Sequence, residues 1–318
     1  MSRPPFDPQL AAALPMINEL IPPGFGPDHI PTMRAVTGAR IASDDDLRRG
    51  GTFDVTEVPA DEAGAGLLVC RPTGVTGPTP LLYYLHGGGM IMGTHRAPAL
   101  LEVLDWAEEL GATVVSADYR LAPDHPDPAP VEDCYAGLTW LTGKAGDLGL
   151  DPARVVVVGT SAGGGLGAGT ALLARDRGGP ALAAQMLLCP MLDDRNASGS
   201  SAQMAGVGVW DRTANDTGWT ALLGDRRGGP DVSPYAAPAR AEDLSGLPPT
   251  FLDVGSAETF RDETVAFASR LWAAGGSAEL HVWPGGFHVF DAMVPDASLS
   301  LAARSVRLPW LRRAIEGL

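Results

Sequence analysis

The sequence predicts an α/β chain: a mostly parallel sheet of eight strands flanked by helices. Three observations carry that expectation. From Ala97 onward, helix-period segments alternate with short apolar runs, the order of βαβ units. The runs are apolar at consecutive positions, as in Val155-Val156-Val157-Val158, which suits strands buried on both faces. The composition, 45% hydrophobic and 19% charged over 318 residues, is that of a globular chain large enough for one core with an accessory element.

Taken in order, residues 1–51 carry proline breaks and two helical patterns, near 8–21 and 31–42. Leu10, Leu14, Ile17, Leu20 and Ile21 fall near helical spacing and need a partner surface, so this segment is expected to be an N-terminal lid or arm packed on the main domain. Three strand-like runs follow, at 52–58, 66–70 and 80–85, separated by turn-rich segments. Their close spacing suggests antiparallel pairing at one edge of the sheet. A helix at 97–110, a strand at 112–117, a helix at 131–141 and the strand 155–158 continue the pattern.

Beyond a further strand at 183–188, the periodicity degrades through 193–238. A long irregular insertion in a compact domain is commonly functional. It is expected to form the second half of a lid, with Met191, Met204, Trp210 and Trp219 either lining an acyl pocket or joining lid to body. A strand at 249–254, a helix at 264–274, a strand at 279–283 and a terminal helix at 298–315 complete the chain. The expected organisation is thus an arm, 1–51, and one catalytic domain, 52–318, with a lid insertion at about 193–238.

A net charge of −15 and a single lysine, Lys144, argue against binding nucleic acid, whose phosphates attract Lys/Arg patches. Cys70, Cys134 and Cys189 are too few and too scattered for a disulfide framework or a zinc cluster, and are expected to be reduced core residues. Residues 1–20 lack a basic region followed by a continuous apolar one, and no run is long enough to span a bilayer. The expectation is a soluble cytoplasmic protein without a membrane span.

Chemistry concentrates where the run 155–158 stops. Gly159-Thr160-Ser161-Ala162-Gly163 fits a G-x-S-x-G elbow, in which flanking glycines allow a strained strand-to-helix turn that exposes the serine hydroxyl. Upstream, His86-Gly87-Gly88-Gly89 closes an apolar strand with a loop able to aim backbone N–H groups at a developing oxyanion. A serine hydroxyl needs a base to take its proton and a carboxylate to orient that base. Only His281 and His288 follow Ser161. His281 lies within a strand, whereas His288 lies in the Gly-rich exit loop of the last strand and is favoured.

For the acid, Glu258 stands closest to the exit of the strand 249–254. Asp262 and Glu263 fall in the first turn of the next helix, where acids have a dipole role, and Asp253 lies inside the strand. Asp118 and Arg120, just beyond a buried strand, are expected to pair with each other or with loop backbone, since charges near a core need partners.

These motifs together resemble the bacterial hormone-sensitive lipase family of α/β-hydrolases. The resemblance rests on His86-Gly87-Gly88-Gly89, Asp118-Tyr119-Arg120-Leu121-Ala122-Pro123, Gly159-Thr160-Ser161-Ala162-Gly163-Gly164 and Gly286-Phe287-His288, and covers nearly the whole chain beyond residue 50. With Thr160 in the elbow the chain is similar to the Gly-Thr-Ser-Ala-Gly subgroup. Two positions depart from the family pattern: Met90 follows the glycine loop where an aromatic is common, and Glu258-Thr259-Phe260 stands in place of Asp-Pro-Leu.

The resemblance implies an α/β-hydrolase fold with a helical lid and a carboxylesterase acting on short- to medium-chain acyl esters. It implies Ser161, Glu258 and His288 as the triad, oxyanion donors at the N–H groups of Gly88, Gly89 and Ala162, and His86 bracing the glycine loop. The partner is a small-molecule ester, no cofactor or metal is required, and a homodimer is an expectation. Two other readings use the same cleft. An amide hydrolase or deacetylase would be separated by comparing a p-nitrophenyl ester with acetanilide, and a non-catalytic binding protein would be expected to lack a working base.

Overall fold

A computed structural model of the chain describes residues 2–317. Met1 of the expected arm and Leu318 of the expected catalytic domain lie outside the described residues. Eight strands form one sheet: β1 Phe53–Val58, β2 Gly66–Pro72, β3 Thr79–Leu85, β4 Thr113–Asp118, β5 Leu150–Thr160, β6 Ala184–Leu188, β7 Thr250–Gly255 and β8 Ala278–Trp283. Their spatial order is β1-β2-β4-β3-β5-β6-β7-β8. β1 pairs antiparallel with β2, and β2 antiparallel with β4; all other pairs are parallel.

The antiparallel edge therefore holds two of the three closely spaced strands. The third, β3, lies between β4 and β5 and runs parallel to both. Its sequence explains the difference, because all seven of its residues are buried. An edge position would leave part of that surface wet.

β5 shows how the centre is built. Val155 and Val157 join Leu81, Tyr83 and Val115 in one apolar cluster, while Val156 and Val158 join Leu82, Tyr84 and Val114 in another on the opposite face. Successive side chains on a strand point to opposite faces, so a continuous valine run feeds two cores at once. The first core packs against helices Ala129–Gly143 and Ala162–Asp176. The second packs against Leu100–Leu110 and Arg307–Glu316.

The expected terminal helix is two helices, Ser298–Ser305 and Arg307–Glu316. Pro309 has no N–H to return to the preceding turn, so the helix restarts with the proline in its first turn. Residues 193–238 contain no strand, as expected, but do hold helices Gly199–Gln203 and Arg212–Leu223.

The N-terminal segment is docked. Asp7 caps helix Pro8–Leu20 by accepting the Gln9 N–H at 2.9 Å, and its own N–H donates to Gly285 O at 3.0 Å. Leu10, Leu14 and Ile17 of that helix pack on Val209, Phe287 and Phe290. Helix Ile30–Gly38 is tied down by Arg34, which donates to Ile91 O and Ala122 O, each at 2.7 Å. Both helices thus rest on loops at the carboxyl end of the sheet. No helix among the described residues is long and apolar enough to cross a membrane.

Candidate active site

The carboxyl ends of β3, β5, β7 and β8 point to the same end of the sheet, and each delivers one part of the site. At the end of β5, Ser161 has φ +58°, ψ −119°, a backbone conformation that non-glycine residues rarely adopt. The glycines beside it are obligatory. A Cβ on Gly159 would fall 2.1 Å from Gly163 O, and one on Gly163 would fall 1.9 Å from Leu85 O. The turn is over-determined by hydrogen bonds: Ser161 N–H donates to Leu188 O at 2.8 Å, and Ser161 O accepts from Met191 at 3.0 Å and Gly165 at 3.1 Å.

The loop after β3 abuts this turn, since a Cβ on Gly87 would lie 3.3 Å from Ser161 Cβ. Gly88 and Gly89 have φ of +118° and +62°. Side chains there would strike Met92 O at 2.1 Å and the Trp210 ring at 2.3 Å. The N–H groups of Gly88, Gly89 and Ala162 donate to no acceptor among the described residues, and Ala162 opens helix Ala162–Asp176, whose dipole favours negative charge there.

His86 holds the loop without touching Ser161. Its Nδ1–H donates to Gly87 O at 2.8 Å, and its ring stacks on Tyr119, whose hydroxyl donates to His86 O at 2.6 Å. Burial pushes the His86 imidazole down to about 4, so it is neutral.

The exit loops of β7 and β8 supply the remaining parts. With the ring proton of His288 on Nδ1, that nitrogen donates to Glu258 Oε1 at 3.0 Å, and Nε2 accepts from the Ser161 hydroxyl at 2.9 Å. The second oxygen of Glu258 accepts the Gly255 N–H at 2.9 Å. All three side chains are buried, at 4% exposure for Ser161, 5% for His288 and 1% for Glu258.

The other candidate acids are placed elsewhere. Asp262 accepts from Ser200 N–H at 2.7 Å and from Arg261. Glu263 accepts from Leu192 and Asp193 N–H groups, fastening the start of the insertion to helix Arg261–Ala273. His281 in β8 is 2.9 Å from Glu279, remote from the serine. Asp118 and Arg120 do not pair with each other. Arg120 forms a two-pronged bridge to Asp133, at 2.8 and 2.6 Å, and Asp118 sits 3.0 Å from His95.

Aromatic residues cover the site. Trp210, from the insertion, lies over Gly89 with its ring centroid 6.4 Å from that of His288. Phe25 from the N-terminal segment meets Trp210 edge-to-face at 5.3 Å, and Phe260 meets the His288 ring edge-on at 5.1 Å. Met191 and Trp219 are fully buried beneath; Met204 is buried beside Gly208.

One assembly has no counterpart in the sequence reading. Arg307, 2% exposed, reaches from the last helix to Asp253 of β7 at 2.8 Å, to Asp291 at 2.5 Å and to Glu102 at 3.3 Å. Burial raises Asp253 to about 6 against the opposing pull of Arg307. Asp253 was visible as an acid inside an apolar strand, and a buried acid implies a cation. Nothing local marks Arg307 as that cation. Between this cluster and Glu258 lies a cavity of about 30 Å³, room for about one water.

Residues 82–292 match a family described as alpha/beta hydrolase fold. The chain is 38% identical over 247 residues to "Carboxylesterase NlhH" of Mycobacterium tuberculosis, covering 74% of each chain. Among solved structures it is similar to "Bacterial Heroin Esterase", with TM-score 0.88 and 37% identity over 98% of both chains. It is also similar to esterase LipW from Mycobacterium marinum, with TM-score 0.81 and 30% identity over 99% of both chains. The chain belongs to this α/β-hydrolase family, of the hormone-sensitive-lipase type.

Proposed function

We propose that this chain, a carboxylic ester hydrolase by its family and relatives, cleaves short- to medium-chain acyl esters of small molecules through an acyl-enzyme on Ser161. The observation that carries the reading is the unbroken relay from Ser161 Oγ through His288 to Glu258. His288 Nε2 takes the serine proton as Oγ attacks the ester carbonyl, and Glu258 holds the imidazole in the required tautomer and stabilises the imidazolium formed. The N–H groups of Gly88, Gly89 and Ala162 receive the oxyanion, each donor worth about 3 kcal/mol of transition-state stabilisation by analogy with other hydrolases. His288 then protonates the leaving alcohol, and water repeats the sequence on the acyl-enzyme.

The acyl preference is supported by the cover. Trp210 lies over Gly89 of the glycine loop and Phe25 packs edge-on against Trp210, so bulky aromatic groups bound the space above the loop. Residues 1–51 and about 193–238 together form that lid over the catalytic domain, 52–318. Thr160 in the elbow supports the further reading that the chain is of the Gly-Thr-Ser-Ala-Gly subgroup. A cytoplasmic location and a homodimer belong to the same reading, and cell fractionation and light scattering test them.

The central test is a set of hydrolysis rates for p-nitrophenyl acetate through decanoate. Wild type is expected to peak at a short acyl chain, and Ser161→Ala to fall to near background on every ester. A wild type no faster than Ser161→Ala overturns the mechanism.

A further inference from the structure

Beside Glu258 and His288 stands a third side chain of a metal-ligating type. The sulfur of Cys189, a carboxylate oxygen of Glu258 and a ring nitrogen of His288 lie within 4.8 Å of one another, and all three residues are buried. Thiolate, imidazole and carboxylate are the ligand types zinc takes, and three protein ligands with a fourth position left to water is the composition of its reactive sites. Zinc bond lengths near 2.0–2.3 Å require ligand atoms roughly 3.5 Å apart, so the triangle closes by movements on the order of 1 Å.

The backbone fixes the thiol where it is. Cys189 has φ +39°, in the left-handed region, and its N–H is held by Asp253 O at 2.8 Å. The cavity of about 30 Å³ touches Cys189 and Glu258, with room for the water that would complete a four-coordinate ion. Charge also balances, because one thiolate and one carboxylate cancel a divalent cation and leave a neutral buried site. Magnesium and calcium, which take oxygen ligands, find only Glu258 here.

We propose that Cys189, Glu258 and His288 bind a divalent cation of the zinc class, and that occupancy switches the hydrolase off. The second half rests on the triad reading above. The cation bonds to sulfur, whose proton leaves to solvent. It also takes the Nδ1 lone pair, so the proton of the neutral ring moves from Nδ1 to Nε2. Nε2 then presents an N–H to Ser161 Oγ across the 2.9 Å gap where it must present a lone pair. The serine thereby loses its base.

The test titrates the full-length, chelator-stripped enzyme with cobalt(II) chloride and reads the thiolate-to-cobalt charge-transfer absorbance, then displaces it with zinc chloride. Wild type, Cys189→Ala and Cys189→Ser are compared, with a melting curve for each. Rates on p-nitrophenyl butyrate are followed in parallel under zinc and after EDTA, each variant normalised to its own metal-free rate. The expected result is one cobalt per chain with a sulfur band in wild type and none in either variant. Zinc inhibition should be reversed by EDTA, and at least about tenfold more zinc should be needed in the variants, in line with the loss of a metal-site group. No sulfur band in wild type, or equal zinc sensitivity in a folded Cys189 variant, overturns the proposal. A sulfur band in a wild type that hydrolyses no ester would keep the metal site and reject the triad reading instead.

Discussion

Replacing Glu258 by glutamine tests the relay at the point where the structure makes a sharp demand. One carboxylate oxygen accepts from Gly255 N–H at 2.9 Å and the other from His288 Nδ1–H at 3.0 Å. A glutamine can keep only one of these as an acceptor. The Gly255 N–H is backbone and cannot reverse, so the amide oxygen stays there and the NH₂ turns toward His288. Nδ1 then becomes an acceptor and the ring proton moves to Nε2, opposite the serine hydroxyl, which is the wrong tautomer for a base.

In serine hydrolases with this relay the corresponding change costs about 10⁴ in kcat, near 5.5 kcal/mol at 1.36 kcal/mol per decade. The same order is expected here, about 10³- to 10⁴-fold in kcat on p-nitrophenyl butyrate, with KM little changed. Asp262→Asn is the control, because Asp262 bonds to Ser200 and Arg261 and not to the imidazole. A Glu258→Gln enzyme within about threefold of wild type, or an Asp262→Asn enzyme that loses as much, would refute the assignment.

Three further outcomes follow from particular contacts. Gly163→Ala drives a methyl into Leu85 O and His86 O, both backbone, so its cost should exceed the ~1–3 kcal/mol of ordinary overpacking; a urea-midpoint loss below 1 kcal/mol would contradict the elbow geometry. Arg307→Met leaves Asp253 and Asp291 buried without their cation and should cost about 3–5 kcal/mol, with part recovered when Asp253→Leu is added, as read from the same denaturation curves. Stability against pH separates two opposed groups. His86, lowered to about 4 by burial, makes the unfolded chain bind more protons between about 4 and 6.5, so its contribution is lost as pH falls through that window, by about 3 kcal/mol. Asp253, raised to about 6, makes the folded chain bind more protons between about 4 and 6, so its contribution is lost as pH rises there, by a similar amount. Asp253→Asn should therefore lose more stability than wild type between pH 6.5 and 4, and parallel losses in the two proteins would defeat the argument.

Much of the site was legible because its chemistry imposes local signatures. A turn as tight as the one at Ser161 admits only glycine at 159 and 163, and glycines written beside a valine run are visible in the sequence. Strand β3 was harder. Its burial was readable, but its place between β4 and β5 is set by crossover connections and not by the spacing of its neighbours in sequence. Asp118 and Arg120 show the same limit: each found its partner on an element elsewhere in the chain, His95 and Asp133, where local spacing offered only each other. Phe25 and Arg307 were invisible for that reason too. An aromatic in a proline-broken arm, or an arginine on a terminal helix, announces nothing until the fold brings Trp210 or Asp253 beside it.

The reach of Arg307 has a consequence for the order in which the chain is made. It is the tie between the strand whose exit carries Glu258 and Asp291, three residues beyond His288. A growing chain that has exposed its elbow and its glycine loop to the cell still holds two buried acids without their cation until the final helix has left the ribosome. Synthesis proceeds at about 5–20 residues per second, so the serine exists for several seconds before the partners that could activate it are locked in place. On the proposed triad reading, the nascent protein is inert until the helix that opens on Arg307 is in place.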